Sequence, residues 1–299
     1  MINLGYACIN TTLPSASSTM RRATFDKLGL SYAGEIALKN FNNLIPIIQW
    51  NTKNNVKLYR MSSELMPWAS EYNMEDLPQF EEIKNVLFRI GRYVNENGQR
   101  ITFHPGQFNC LCSDKENVIV NSIKDLEIHG KIMDLMNLSR TPYNKINIHL
   151  GSSCGGKFEY AMNNFCRNFD RLSDSVKSRL TLENDDKKGM FSVKMLYNGI
   201  YKKVGVPIVY DQHHHQLGPQ DQTQFEAIHM ASETWGHIRP VCHHSNSKKV
   251  YEDPTVVMTA HSDYYYEPFM DYGLEVDVVL EAKMKEQALL KYRAQWGGN

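Results

Sequence analysis

Nothing in the sequence is long and apolar enough to cross a membrane, which takes about 18–20 residues with few charges. Its first residues show no basic stretch followed by an apolar one, so no export signal is expected and the cytoplasm is the expected location. An excess of either charge is also missing, since 33 Lys and Arg balance 33 Asp and Glu. No overall positive field therefore draws nucleic acid, and such a partner must be met by local patches. The six cysteines, at positions 8, 110, 112, 154, 166 and 242, make no Cys-x-x-Cys pair and no small disulfide framework, which favours a reducing compartment. Linkers, repeats and low-complexity segments are absent too, so residues 1–299 read as one domain, expected to be monomeric. What is present is ordinary in amount: 42% hydrophobic and 22% charged residues, enough for a sizeable core. The eleven histidines matter more for their placement than for their number.

The stretch Leu180-Thr181-Leu182-Glu183-Asn184-Asp185 sets a pattern in which a short buried strand delivers a carboxylate into a turn. Ile101–His104, Ile146–His149, Ile208–Asp211, Ile238–His243 and Val276–Glu281 repeat it, each stopping on an imidazole or a carboxylate. Ile2–Ala7 and Lys57–Met61 supply two earlier strands, and Thr11–Thr19 is a polar loop closed by Arg21-Arg22. Between strands, apolar residues recur at helical spacing, as at Ala37, Phe41, Leu44 and Ile48, or Phe80, Ile83, Leu87, Ile90 and Val94. Ser113 with Glu116 forms a capping-box pattern before the helix of Ile119, Ile123, Leu126 and Met133. Val256–His261 is read as part of a long excursion between strands seven and eight. Eight strands alternating with helices predict an α/β fold, the (β/α)8 TIM barrel, whose active sites lie at the C-terminal ends of the strands. The ligand-type residues fall at those ends.

His104, His149, Glu183, Asp211, His214, His243, His261 and Glu281 offer nitrogen and oxygen donors. Such a set suits zinc, manganese or iron better than calcium. Eight ligands exceed the needs of one ion, and two or three ions sharing a bridging carboxylate use them better. Glu183, in the middle of the strand order, is the expected bridge. Ions about 3.5–4 Å apart can clamp both the attacking and the leaving oxygen of a phosphoryl displacement. The run Asp211-Gln212-His213-His214-His215 follows a strand directly and belongs at the mouth, although only one or two of its histidines can face inward. His129 and His229, on helices, are read as structural.

At this point the chain resembles the UV damage endonucleases, relatives of endonuclease IV on the same barrel. The resemblance runs nearly end to end: Gly5-Tyr6 and Asn10, Tyr59 to Ser63, His104-Pro105-Gly106-Gln107, Ile148 to Gly151 and Leu182 to Asp185. It continues through Asp211 to His214, His243-His244-Ser245, Ala260 to Asp263 and Leu280 to Lys285. It implies a DNA repair nuclease that nicks duplex DNA immediately 5′ to a UV photoproduct, with abasic and other lesions as further candidates, leaving a 3′-hydroxyl. By the same resemblance two to three divalent ions bind in the barrel mouth, manganese first, with zinc, magnesium and cobalt as other candidates. The eight donors carry over as ligands, with Glu183, His104, His149 and Glu281 at the catalytic centre. Gln107 and the residue after it resemble a pair that wedges into the duplex, and Tyr6 and Asn10 resemble damage-pocket residues. A crosslinked dinucleotide stacks poorly, so extruding it costs less than flipping a normal base, and aromatic or apolar wedges fill the gap.

Three positions depart from the family pattern. Phe108 stands where Tyr is usual and keeps the ring without the hydroxyl. Glu71 stands where His is usual and keeps an oxygen donor, so it joins the metal candidates. Val241 stands two residues before His243, where a modified lysine is expected, and cannot ligate, which weakens the third ion position. DNA contact is expected from basic residues in loops on the mouth side: Arg21, Arg22, Lys157, Lys187, Lys188, Lys248 and Lys249. Association with the nucleoid, or with the nucleus in a eukaryote, would follow. Two other functions fit parts of the pattern: a metal-dependent sugar isomerase on a similar barrel, and a non-catalytic damaged-DNA-binding protein. The first has little use for Gln107-Phe108, and the second would follow from failure of the sites at Glu71 and Val241.

Overall fold

In a computed structural model that describes residues 2–14 and 17–298, eight parallel strands pair in sequence order and close into a barrel. They are β1 (Asn3–Cys8), β2 (Leu58–Met61), β3 (Arg100–Phe103), β4 (Ile146–Ile148), β5 (Leu180–Glu183), β6 (Ile208–Asp211), β7 (Val241–His244) and β8 (Asp277–Leu280). β8 returns to β1 with Asn3 opposite Asp277 and Tyr6 opposite Leu280. The (β/α)8 barrel expected from the sequence is therefore present. The seventh strand starts later than Ile238 because that residue still sits in a turn, its amide donating to Trp235 O at 3.1 Å, and Pro240 has no amide hydrogen to give a ladder.

The period of two along each strand sorts its side chains between two cores. Leu4, Tyr6, Tyr59, Ile101, Phe103, Leu180, Leu182, Ile208 and Leu280 point outward into the main cluster under the helices. Ala7, Leu58, Val209, Val241 and Val279 point inward and, with Trp235, fill the barrel as a separate apolar layer. Below that layer Asp277 takes ion pairs from Arg100 at 3.0 Å and Arg239 at 2.9 Å, plugging the lower end. Above it the same inward rows continue as Arg60, His104, His149, Glu183, Asp211, His243 and Glu281.

Helix α1 runs Arg22–Lys53, far beyond the apolar stripe at 37–48, with a break at Gly29 (φ 64°) that an L-residue adopts only under strain. The Thr11–Thr19 loop precedes it, apart from residues 15 and 16, which lie outside the described residues. α2 (Phe80–Glu96) buries Ile83, Leu87, Ile90 and Val94 as the spacing required, and packs so close to the turn at Met136 that a Cβ at Gly91 would meet Met136 O. α3 (Glu116–Leu135) lacks the expected capping box: Lys115 is its N-cap, Ser113 Oγ instead accepts the Lys115 amide at 3.1 Å, and Glu116 pairs with Arg171. α4 (Phe158–Phe169) and the short helices at Val193–Leu196, Gln224–Glu233 and Lys285–Trp296 complete most of the outer layer. Residues 256–260 form no strand, and His261 makes one isolated bridge to Ser247, as expected of an excursion. Among the described residues no helix is long and apolar enough to cross a membrane.

Candidate metal centre

Glu183 is the last inward residue of β5 and is fully enclosed by neighbours that end the other strands. Its Oε2 lies 3.0 Å from His104 Nε2 and 3.0 Å from His243 Nδ1. Its Oε1 lies 3.1 Å from His214 Nδ1 and 3.9 Å from His149 Nε2. Two groups of donor atoms, His104–His149–Glu183 and Glu183–Asp211–His243, each fall within 4.8 Å of one another. Glu183 belongs to both, the position a bridging carboxylate needs. The centre forms the floor of a cleft of about 520 Å³ lined by Arg60, Gly106, Gln107, Lys187 and Glu281 among others.

The protons present do not satisfy these groups. Burial pushes the His104 imidazolium down to about 4, so the ring is neutral near pH 7. Its single N–H must serve Pro105 O, 3.3 Å from Nδ1, and Glu183 Oε2, 3.0 Å from Nε2. One of the two contacts therefore lacks a hydrogen. Asp211 Oδ2 is buried without a hydrogen-bond partner, and His243 Nδ1, although 3.0 Å from Glu183 Oε2, is not directed at it in hydrogen-bonding geometry. Burial alone would raise the Glu183 carboxyl, but His243 and His149 outweigh it and hold the group well below the usual carboxylate range. Burial and the negative charges of Glu183 and Glu281 push Asp211 upward. Clustered carboxylates, imidazole lone pairs and orphaned buried donors are what divalent cations satisfy, and the residues present fit two such ions.

Glu281 completes the ring. Burial would raise its carboxyl, but Arg60, which pairs with it directly, holds it well below the usual range. His261 stands at the edge, its Nδ1 donating to Glu281 O at 3.0 Å and 3.7 Å from Glu281 Oε2. His214 is the histidine of its run that turns inward. Asp211 caps the short helix Gln212–Leu217 by accepting the His214 amide at 2.8 Å, which aims that ring at Glu183. His213 packs edge-on to His261 with centroids 5.7 Å apart, and His215 packs against Tyr210. The run is a buried helix rather than a solvated loop.

Several supporting groups carry no strand-end signal. Asn147, on β4, donates to Glu183 Oε2. Lys145, two residues earlier in the same inward row, is fully buried with Nζ 3.1 Å from His243 Nε2, and burial lowers its ammonium to about 7. Asp185 lies 3.1 Å from His149 Nδ1. Period-two parity backward from His149 would have found Lys145 and Asn147.

Other expected site residues lie elsewhere. Tyr6 does not line a damage pocket. It points outward from β1 into the core, fully buried, donating to Asn51 Oδ1 at 2.7 Å and accepting from Asn10 Nδ2 at 2.9 Å. Asn10 is consumed by that bond and by accepting the amides of Thr12 and Leu13. Glu71 is not brought into the centre either: it ends the turn Ala69–Glu71 and pairs with Arg22 at 3.2 Å. Arg22 is further committed to Asp26 at 2.8 Å and to the faces of Trp68 and Phe25. Lys248 is held by Asp263 at 2.9 Å. Arg21, Lys157, Lys188 and Lys249 are exposed, and Lys187 reaches the cleft. Gln107 lines the cleft, and Phe108 beside it is 85% exposed, costly for a bare ring unless something covers it.

The profile of the UV-endonuclease UvdE family matches residues 2–296. The chain is 34% identical to the UV-damage endonuclease of Schizosaccharomyces pombe over 308 residues, covering 96% of this chain and 49% of that protein, so it spans about half that relative's length. It is 30% identical over 300 residues to the UV DNA damage endonuclease of Clostridium perfringens, covering 97% and 69%. The crystal structure of SacUVDE is similar throughout, with a TM-score of 0.84 at 30% identity, covering 98% of this chain and 96% of that one.

Proposed function

The chain belongs to the UV-endonuclease UvdE family, and on that premise we propose that it is a metal-dependent DNA repair endonuclease. It cuts duplex DNA immediately 5′ to UV photoproducts and leaves a 3′-hydroxyl. The observation that carries this is the sharing of buried Glu183 between two donor groups on the floor of a cleft lined by Gln107, whose chain neighbour Phe108 leaves its ring exposed. Divalent ions, manganese first, would be held by His104, His149 and Glu183 and by Glu183, Asp211 and His243, where they would polarise the phosphodiester and make water more acidic.

The protein's own groups do the rest. Asp185 orients His149, Asn147 fixes the Glu183 carboxylate, and Lys145 fixes His243. Arg60 keeps Glu281 ionised from within the cleft. Lys187, on the rim, supplies positive charge for a backbone phosphate without reading sequence. Gln107 and Phe108 fill the space vacated by an extruded dinucleotide, and the poor stacking of a photoproduct makes extrusion cheap there.

Incubation with manganese and UV-irradiated supercoiled plasmid tests the reading. Nicking of irradiated plasmid alone, with the cut mapped immediately 5′ to a single photoproduct and extendable by a polymerase, is the expected result. Retention of damaged DNA without cutting would make the protein a damage binder, and turnover of free sugars without cutting would make it an isomerase.

A further inference from the structure

We propose that Cys110 and Cys112 are a dithiol that hydrogen peroxide closes to a disulfide, and that closure loosens the adjoining β3–α3 loop and weakens its hold on damaged DNA. The second half rests on the role given above to Gln107 and Phe108; the first does not.

The two sulfurs lie 3.5 Å apart across the turn Cys110-Leu111-Cys112, a separation that shortens to about 2.0 Å in a disulfide. Cys110 is partly exposed, two residues beyond Phe108, whereas Cys112 and Leu111 are fully buried and anchor the turn. The environment divides the roles. The hydrogen bond from Cys112 lowers the Cys110 thiol, and the same bond together with burial raises Cys112. Cys110 is thus the more acidic thiol and the one that meets solvent, and Cys112 is the partner behind it. Gly151 packs closely beside the pair, since a Cβ there would stand 3.2 Å from Cys110 Sγ.

The chemistry balances with peroxide alone. The Cys110 thiolate attacks one peroxide oxygen, the S–O bond forms, the O–O bond breaks, and the departing hydroxide takes up the thiol's proton as water. Cys112 Sγ then attacks Cys110 Sγ while giving up its proton, the S–O bond breaks, and a second water leaves. Two thiols lose two electrons in total and one peroxide becomes two waters.

Closure removes the one thiol hydrogen of Cys112, which is shared between Cys110 Sγ and two carbonyls of the loop immediately after His149, Leu150 O and Ser152 O, each 3.1 Å away. A disulfide has no hydrogen to offer them. The same turn carries the bonds of Cys110 N to Ser122 Oγ at 2.9 Å and of Asn109 Nδ2 to Asp125 at 2.8 Å, which set the loop on α3. Drawing the sulfurs together strains this anchorage at the base of Gln107-Phe108.

Peroxide treatment of the intact protein, followed by thiol counting, peptide mass mapping and titration with a photoproduct duplex, tests the proposal. The expected result is loss of two of the six thiols, a Cys110–Cys112 peptide lighter by two hydrogens, and binding weakened roughly tenfold, the scale of one or two lost hydrogen bonds. Dithiothreitol should restore both. Cys110→Ser should bind like the untreated protein before and after peroxide, and Cys112→Ser should form sulfenic acid at Cys110 without a disulfide. Six surviving thiols, or a sulfinic acid at Cys110 in the unmutated protein, would overturn the dithiol. A disulfide that leaves binding unchanged would overturn the regulatory half, and because thiol counting needs no DNA, neither result depends on the nuclease assignment.

Discussion

Glu183, the last inward residue of β5, belongs to both groups of donor atoms at the strand ends, and Glu183→Gln separates charge from shape there. The amide keeps its size and one acceptor but removes the negative charge shared by two donor groups. Nicking of damaged DNA should fall by about a thousandfold or more while binding persists, whereas a rate within about tenfold, roughly 1.4 kcal/mol of barrier, would remove Glu183 from the chemistry. Such strand-end positions were legible because the chain states them locally, as an inward strand residue closing on a carboxylate or imidazole. The same period of two turns Tyr6 outward and Lys145 inward, but the partners they then meet are set by the fold, and Lys145 reaches His243 across the barrel. Val241 packs in the apolar layer below the centre and offers no donor, while His261 has its Nδ1 occupied by Glu281 O. Metal analysis after gel filtration in metal-free buffer should therefore give two equivalents of manganese, with a third seen only at higher free metal. Three equivalents surviving the column would mean that another side chain completes the third site.

At the level of elements, the β3–α3 loop carries what the barrel itself does not. Its motif His104-Pro105-Gly106-Gln107 was legible, and the turn residues explain why the strand stops. Its anchoring was not, because Asn109 and Cys110 are tied to Asp125 and Ser122 across the following helix rather than by the Ser113–Glu116 box that the sequence suggested. The exposed ring of Phe108 makes a specific prediction. Base–aromatic contacts are worth about 1–3 kcal/mol by alanine substitution, so Phe108→Ala should weaken binding to a photoproduct duplex about 5- to 150-fold and undamaged duplex less. Phe108→Tyr should be nearly neutral, since the ring provides the contact. Equal losses on damaged and undamaged duplexes, measured by fluorescence anisotropy, would reduce Phe108 to a general contact.

For the whole molecule, strand order and closure were legible because alternating strands and helices leave few arrangements, and the ligand-type ends point to one face. The polar content of the core was not, since burial of a charged or titratable group is decided by distant neighbours. His244 shows the consequence for stability. It ends β7 pointing outward, fully buried against Tyr265, Phe269 and Tyr292, with Nε2 3.1 Å from Glu267 O. Burial pushes its imidazolium down to about 4, below the value of about 6.5 expected in the unfolded chain. Between those values the unfolded chain binds a proton that the folded one refuses, so the contribution to stability is complete above pH 6.5 and is lost as pH falls toward 4. His244→Phe keeps a ring among the aromatics and cannot titrate. In chelator-treated protein, lowering the pH from about 7 to about 5.5 should cost the variant about 1 kcal/mol less unfolding free energy than the parent. Urea unfolding of both proteins at the two pH values measures the difference directly. Parallel losses would mean that His244 is protonated in the folded core and that the acid sensitivity of the barrel arises from its other buried groups.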